Sequence, residues 1–156
     1  MKILAVQNRM GIGDTVIFLP FIKAISKKFN TPVSLLVKKD SKADQYIKQT
    51  DYLDKLIFLE RNNKKIGRHD GVIGSIKLAQ ELKNNEFDKI FIFNSSLRFN
   101  LIARMANIKE IYQYPLFTKT NQHIVKPAKD LIKKNLGIDV VKDPQIGINS
   151  NLIKEE

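Results

Sequence analysis

Asp14 is the residue of this chain best placed for acid–base chemistry. It closes the stretch NRMGIGD, which lies between an apolar run, KILAVQ, and a second one, TVIFL. That succession reads as a buried strand, a glycine-containing turn and the start of a helix. Gly11 and Gly13 lack a Cβ, so the turn can take positive φ and let another molecule approach its backbone closely. The helix would aim its unpaired N–H groups, with their partial positive charge, at whatever sits above the turn. A carboxylate there has two available jobs. It can cap the helix, accepting from the amide of Val16 or Ile17. It can also serve as a general base at the rim of a cleft.

Two further segments carry chemistry. Glu60 to Asp70, ERNNKKIGRHD, has no apolar periodicity and crowds Arg61, Lys64, Lys65 and Arg68 together with little acid between them. Four such cations suit phosphate oxygens, although an exposed connector has the same composition. Asn94-Ser95-Ser96, followed by Arg98, is a second polar turn. The chain has no cysteine, and its two histidines, His69 and His123, are far apart. Neither a disulfide framework nor a thiolate or structural zinc site is expected.

The elements that must position these residues alternate. The helix opened by Asp14 continues to Phe29, with Ile17, Phe21 and Ile25 on one face; Pro20 is expected to kink it, and Asn30-Thr31-Pro32 to end it. Val33–Val37 reads as a strand covered on both faces, Ser41–Gln49 as a short polar helix, and Lys55–Leu59 as a third buried strand. A helix over Gly71–Asn84 would turn Ile76, Ala79 and Leu82 inward. Asp88–Phe93 is a fourth strand, Phe99–Ala106 a helix burying Ile102, Ala103 and Ala106, and Ile111–Tyr114 a shorter fifth strand. Thr118–Gln122 is polar. It leads to a helix with Pro127 in its first turn, Leu131, Ile132 and Leu136 inside, and Gly137 at its end. The tail is weakly patterned, with Ile146–Ile148 a strand or linker. Buried strands alternating with helices predict an α/β fold with right-handed crossovers and a parallel sheet. One domain over 1–138 is expected, with 139–156 a tail or the start of a linker. Ligands of such sheets bind outside the carboxyl ends of the strands. Segments 8–14, 60–70 and 94–98 all follow strands and would line one cleft.

At 156 residues and 43% hydrophobic content, the chain can build one substantial core. The formal charge of +11 suits phosphate, acidic lipid or nucleic acid. It is equally what a lysine-rich surface gives when isoleucine and asparagine are also abundant. Nucleic acid is not expected as a partner, because the aromatics sit within apolar elements and offer no stacking platform between the cations. No apolar run approaches the roughly 18–20 residues that span a bilayer, and the N-terminus does not read as a secretory signal. A cytoplasmic protein is expected, with peripheral contact at the inner membrane an open option. A nucleotide-binding Rossmann module is the first alternative, since Gly11-Ile12-Gly13 opens G-x-G-x-x-G. Val16 replaces the third glycine, and Lys38-Lys39 stands where an acid would meet ribose. A non-catalytic binding protein for anionic glycans is the second alternative.

The opening MKILAVQNRMGIGDTVIFLPFIKAIS resembles glycosyltransferase family 9, the ADP-heptose:lipopolysaccharide heptosyltransferases. The family pattern of strand, arginine-containing turn, Gly-Asp, hydrophobic run and proline is met by Ile3–Val6, Arg9, Gly13-Asp14, Val16–Leu19 and Pro20. FDKIFIFNSSLRFNLIARMANI is similar to a second family segment, through Asp88, Asn94-Ser95, Arg98 and Ala103-Arg104. HIVKPAKDLIKKNLGI is similar to a third, through His123 and Gly137. The resemblance implies the N-terminal, acceptor-binding half of a two-domain GT-B enzyme. That enzyme is inverting and metal-independent and needs no cofactor; its ADP-sugar donor is held mainly by a C-terminal domain expected to be absent here. It implies Asp14 as catalytic base, and Arg9, Gly11, Gly13, Arg61, Lys64, Lys65, Arg68, Asn94, Ser95, Arg98 and His123 around a phosphorylated, lipid-linked saccharide acceptor. Arg104 is expected to be structural.

Overall fold

The computed structural model describes residues 1–7, 12–38, 51–59, 71–115 and 125–140, with the backbone alone for 12–16 and 125. The expected helix at Ser41–Gln49, the polar stretch Thr118–Gln122 and the segment Ile146–Ile148 lie outside the described residues.

The first strand, β1 (Ile3–Gln7), is buried at all five positions, as five largely apolar residues must be when both faces are covered. Next come α1 (Ile12–Phe29), β2 (Val33–Lys38), β3 (Leu53–Leu59), α2 (Gly71–Asn85), β4 (Lys89–Ile92), α3 (Leu97–Met105), β5 (Glu110–Gln113) and α4 (Val125–Leu136). The strands form one sheet in the order β3-β2-β1-β4-β5, every pair parallel. The expected α/β architecture with a Rossmann-like parallel sheet is the observed one.

Side chains alternate across a strand, and here the alternation separates two cores. Ile3, Ala5, Val33, Leu35, Val37 and Phe91 pack with α1 and α4. Leu4, Val6, Leu36, Ile90 and Ile92 pack with α2 and α3. Helix α1 runs continuously through Pro20 and buries Phe18, Leu19, Phe21, Ile22 and Ile25. It ends where Asn30 takes φ +52° and the Thr31 amide reaches back to the Ser26 carbonyl at 3.1 Å, a closure that satisfies an otherwise orphaned acceptor.

Two expectations need correction. Strand β3 is longer than Lys55–Leu59 and only partly buried, with Asp54 and Lys55 exposed, because it is the sheet's edge and pairs with β2 alone. Ile76 is 45% exposed rather than inward. The buried face of α2 is formed by Gly74, Leu78, Ala79 and Leu82, a register that leaves Ile76 on the outer side.

At the amino edge of the sheet, the Asp88 carboxylate accepts from the Lys2 amide at 2.8 Å, and the Asp88 amide returns a bond to the Lys2 carbonyl at 2.8 Å. This clasp holds β1 and β4 in register. Beside it Lys89, only 8% exposed, pairs with Glu110 and lies 5.0 Å from the Phe29 ring centre. Tyr112 donates to the same carboxylate at 2.9 Å. The hydrogen bond from Lys89, then that from Tyr112, holds the Glu110 carboxyl below its ordinary pKa. A depressed carboxyl contributes stability above its unfolded pKa and loses it as pH falls through the folded value. Glu110→Gln should therefore lower the melting temperature most near neutrality. The gap to the wild type should close as pH drops below the ordinary glutamate range of about 4. A gap independent of pH would show that packing, not charge, is what the substitution removes.

Candidate functional site

All five strands end on one edge of the sheet, at Gln7, Lys38, Leu59, Ile92 and Gln113. The chain leaves β1 toward β2 over one face and leaves β4 toward β5 over the other. The connections that leave the neighbours β1 and β4 thus diverge at the carboxyl edge, the arrangement that makes a crevice where ligands of such sheets bind. The helix that follows β1 and the helix that follows β4 flank it from opposite faces.

Asp14 lies in the first turn of α1, two residues beyond its start at Ile12. The capping assignment needs correction on this point. An N-cap stands before the first helical residue with non-helical backbone, whereas Gly13 and Asp14 are already helical.

Across the crevice, the Asn94–Ser96 turn is built by its own side chains. Asn94 Oδ1 accepts from the Ser96 amide at 2.9 Å, and Ser96 caps α3, its Oγ accepting from the Phe99 amide at 3.4 Å. The sequence placed this helix start two residues late, having missed Ser96 as the cap. Ser95 Oγ is buried without a hydrogen-bond partner among the described residues. Arg98, the second residue of α3, is partly buried.

A second layer fixes the turn. Gln113 Nε2, at the end of β5, donates to the Ser96 carbonyl at 2.8 Å, while Gln113 Oε1 accepts from Asn100 Nδ2 at 2.9 Å. Asn100 Oδ1 in turn accepts from Arg104 Nε at 2.8 Å, the structural role expected of that arginine. Below the crevice, Phe93 meets Phe18 at 5.4 Å and Phe21 at 6.3 Å between ring centres, with Tyr114 edge-on at 6.2 Å. Gln7 is buried at the end of β1. Sequence reading missed Gln7, Asn100 and Gln113. The usable signal was a glutamine closing each of two strands, ILAVQ and EIYQ.

The structure therefore brings Gly13 and Asp14 to one side of the crevice by backbone position, and Asn94, Ser95 and Arg98 to the other. Arg9, Gly11, Arg61, Lys64, Lys65, Arg68 and His123 lie outside the described residues. Leu59, from which the basic segment departs, ends β3 on the same edge. Among the described residues, no group of three His, Asp or Glu side chains is placed to hold a metal ion.

Solved structures share this fold. A glycosyl transferase of family 9 from Veillonella parvula DSM 2008 superposes with a TM-score of 0.67 over 95% of this chain, at 15% identity. The E. coli heptosyltransferase WaaC with ADP gives 0.64 over 94% of this chain, at 14% identity. E. coli ADP-heptose lps heptosyltransferase II gives 0.54 over 72%, also at 14% identity. The chain has the fold of part of a heptosyltransferase. It spans 44% of the Veillonella protein and 51% of WaaC, about half the length of each. No sequence family matches it, and no curated protein matches it. The heptosyltransferase fold is thus kept here at an identity that shows fold alone.

The Gln113 bridge is testable. Gln113→Ala leaves the Asn100 side-chain amide without its acceptor and the Ser96 carbonyl with the Asn100 backbone amide at 3.3 Å in place of two donors, which should cost about 1–3 kcal/mol in denaturant unfolding. Hydrogen exchange at the Phe99 and Asn100 amides should quicken more than at β1. Equal change at both places would mean that the bridge does not hold the turn locally.

Proposed function

We propose that this chain is the acceptor-binding and catalytic-base half of an inverting, metal-independent glycosyltransferase. It would act with a donor-binding domain to move heptose, or a related sugar, from an ADP-sugar to a phosphorylated inner-core saccharide of lipopolysaccharide. The observation that carries this reading is the crevice between β1 and β4. Asp14, in the first turn of α1, borders one side, and the Asn94–Ser96 turn borders the other. The likeness to heptosyltransferases supports it.

In this reading the acceptor hydroxyl attacks the anomeric carbon from one face while the bond to the diphosphate breaks on the other. ADP departs with the electron pair of that bond, and the hydroxyl proton passes to the Asp14 carboxylate. The new glycosidic bond carries inverted configuration. Asn94 and Ser95 would orient acceptor hydroxyls, and Arg9, Arg98 and His123 would meet its anionic groups. The basic segment with Arg61, Lys64, Lys65 and Arg68 would clamp phosphate. Gly11 and Gly13 would leave room for the sugar ring. No metal or cofactor takes part. The charge that develops on the leaving diphosphate must be gripped by fixed donors, and those belong to the donor domain. The site of action would be the cytoplasmic face of the inner membrane, where lipid-linked acceptors are held.

Titration calorimetry tests the acceptor assignment. A phosphorylated core saccharide should bind this chain, and replacing Arg61, Lys64, Lys65 and Arg68 together by Ser should weaken binding and flatten its salt dependence. Unchanged affinity and salt response would reduce the segment to a solvated connector. ADP alone should show no specific binding, and a micromolar dissociation constant would instead favour a nucleotide-binding module.

A further inference from the structure

Helices α2 and α3 lie side by side on one face of the sheet, sharing the core formed by Leu78, Leu82, Phe99 and Ile102. Their outer sides are unusually apolar. Val72 is 77% exposed, Ile73 72%, Ile76 45%, Leu97 41%, Leu101 49% and Met105 48%. Apart from Met1, these are the exposed large hydrophobic side chains among the described residues. On α3 they recur every four residues, which makes one stripe. Asn100, bonded to Gln113, marks the flank of α3 turned to β5. At 3.6 residues per turn, Leu101 and Met105 then lie about 100–140° away, on the flank toward α2. Val72 and Ile73 stand in the first turn of α2, and Leu97 opens α3, so both stripes begin at the carboxyl edge of the sheet.

The charges on the two helices are mainly positive, with the acids Glu86, Asp88 and Glu110 exposed beyond their carboxyl ends. Helix α3 contains no acid, and α2 contains only Glu81, which is partly buried. Lys77, Lys83, Arg104 and Lys109 are exposed on or beside the two helices, in a chain whose formal charge is +11. We propose that the α2/α3 face docks on the surface of an anionic lipid bilayer. Its aliphatic side chains would enter the headgroup boundary while its cations meet lipid phosphates, as amphipathic basic helices do. A second copy is the poorer occupant, because a two-fold contact would set these same cations against each other. No helix among the described residues is long and apolar enough to cross a membrane, so the contact is peripheral. The surface lies outside the crevice and stands whether or not the transferase reading holds.

Vesicle flotation with the full chain tests this surface, using phosphatidylcholine vesicles with and without phosphatidylglycerol and carrying no saccharide. Binding should require the anionic lipid and weaken at high salt. Ile73→Gln, Leu101→Gln and Met105→Gln combined should lower partitioning at least roughly tenfold, with melting temperature unchanged. Lys77→Gln, Lys83→Gln and Lys109→Gln combined should weaken binding to anionic vesicles. Asp14→Asn should bind as the wild type does, which separates this surface from the catalytic assignment. The proposal is overturned if the chain ignores anionic vesicles or binds neutral ones equally well. It is also overturned if the apolar triple variant partitions as the wild type, or if sedimentation velocity finds a dimer that this variant dissolves.

Discussion

Strand β1 is hydrogen-bonded along both edges, to β2 and to β4, and covered on both faces. Five residues with no solvent-facing side chain can satisfy their backbone only through those two ladders. The pairing with β4 carries the functional consequence. It joins the two strands from which the chain departs in opposite directions, and so sets the heads of α1 and α3 on either side of one crevice. The Lys2–Asp88 clasp at the amino edge and the Phe93 amide donating to the Val6 carbonyl at 3.1 Å bracket that pairing from end to end.

Two kinds of polar group shape the carboxyl edge. Asn94 and Ser96 fold their own turn, which is local chemistry, whereas Gln113 reaches it from another strand. A turn held from two directions is preorganised, as the proposed transferase site would require. Beneath it, the Phe18–Phe21–Phe93 cluster ties α1 to the end of β4 by packing alone. The cavity of about 210 Å³ lined by Lys23, Ser26, Lys27 and Asp51 lies at the other end of α1. It is remote from the crevice between β1 and β4.

The strands were legible because apolar runs such as VSLLV and KIFI have no other stable use in a chain of this size. Helix faces were legible where burial was one-sided, as for Ile102, Ala103 and Ala106. Ile76 was misread because the buried stripe of α2 runs through Gly74 and Leu78, and an exposed isoleucine has the same letter as a buried one. The edge position of β3 was hidden for a related reason: strand order is a property of pairing, not of local pattern. Asp14 could be placed near a helix start, but its position inside the first turn depended on where the helix begins. The Asn100–Gln113 pairing was illegible because thirteen residues separate partners that only the sheet brings together.

The central claim is that the carboxylate at the head of α1 takes a proton, and an amide of the same shape cannot. The direct measurement is turnover of an ADP-sugar by this chain joined to a donor domain, with Asp14 compared against Asp14→Asn. The account predicts that the Asn enzyme keeps its folding stability within about 1 kcal/mol of the Asp enzyme. It also predicts unchanged acceptor affinity and turnover about 10²–10⁴-fold slower. Near-wild-type turnover by the Asn enzyme would contradict it and leave Asp14 with a helix-stabilising role alone.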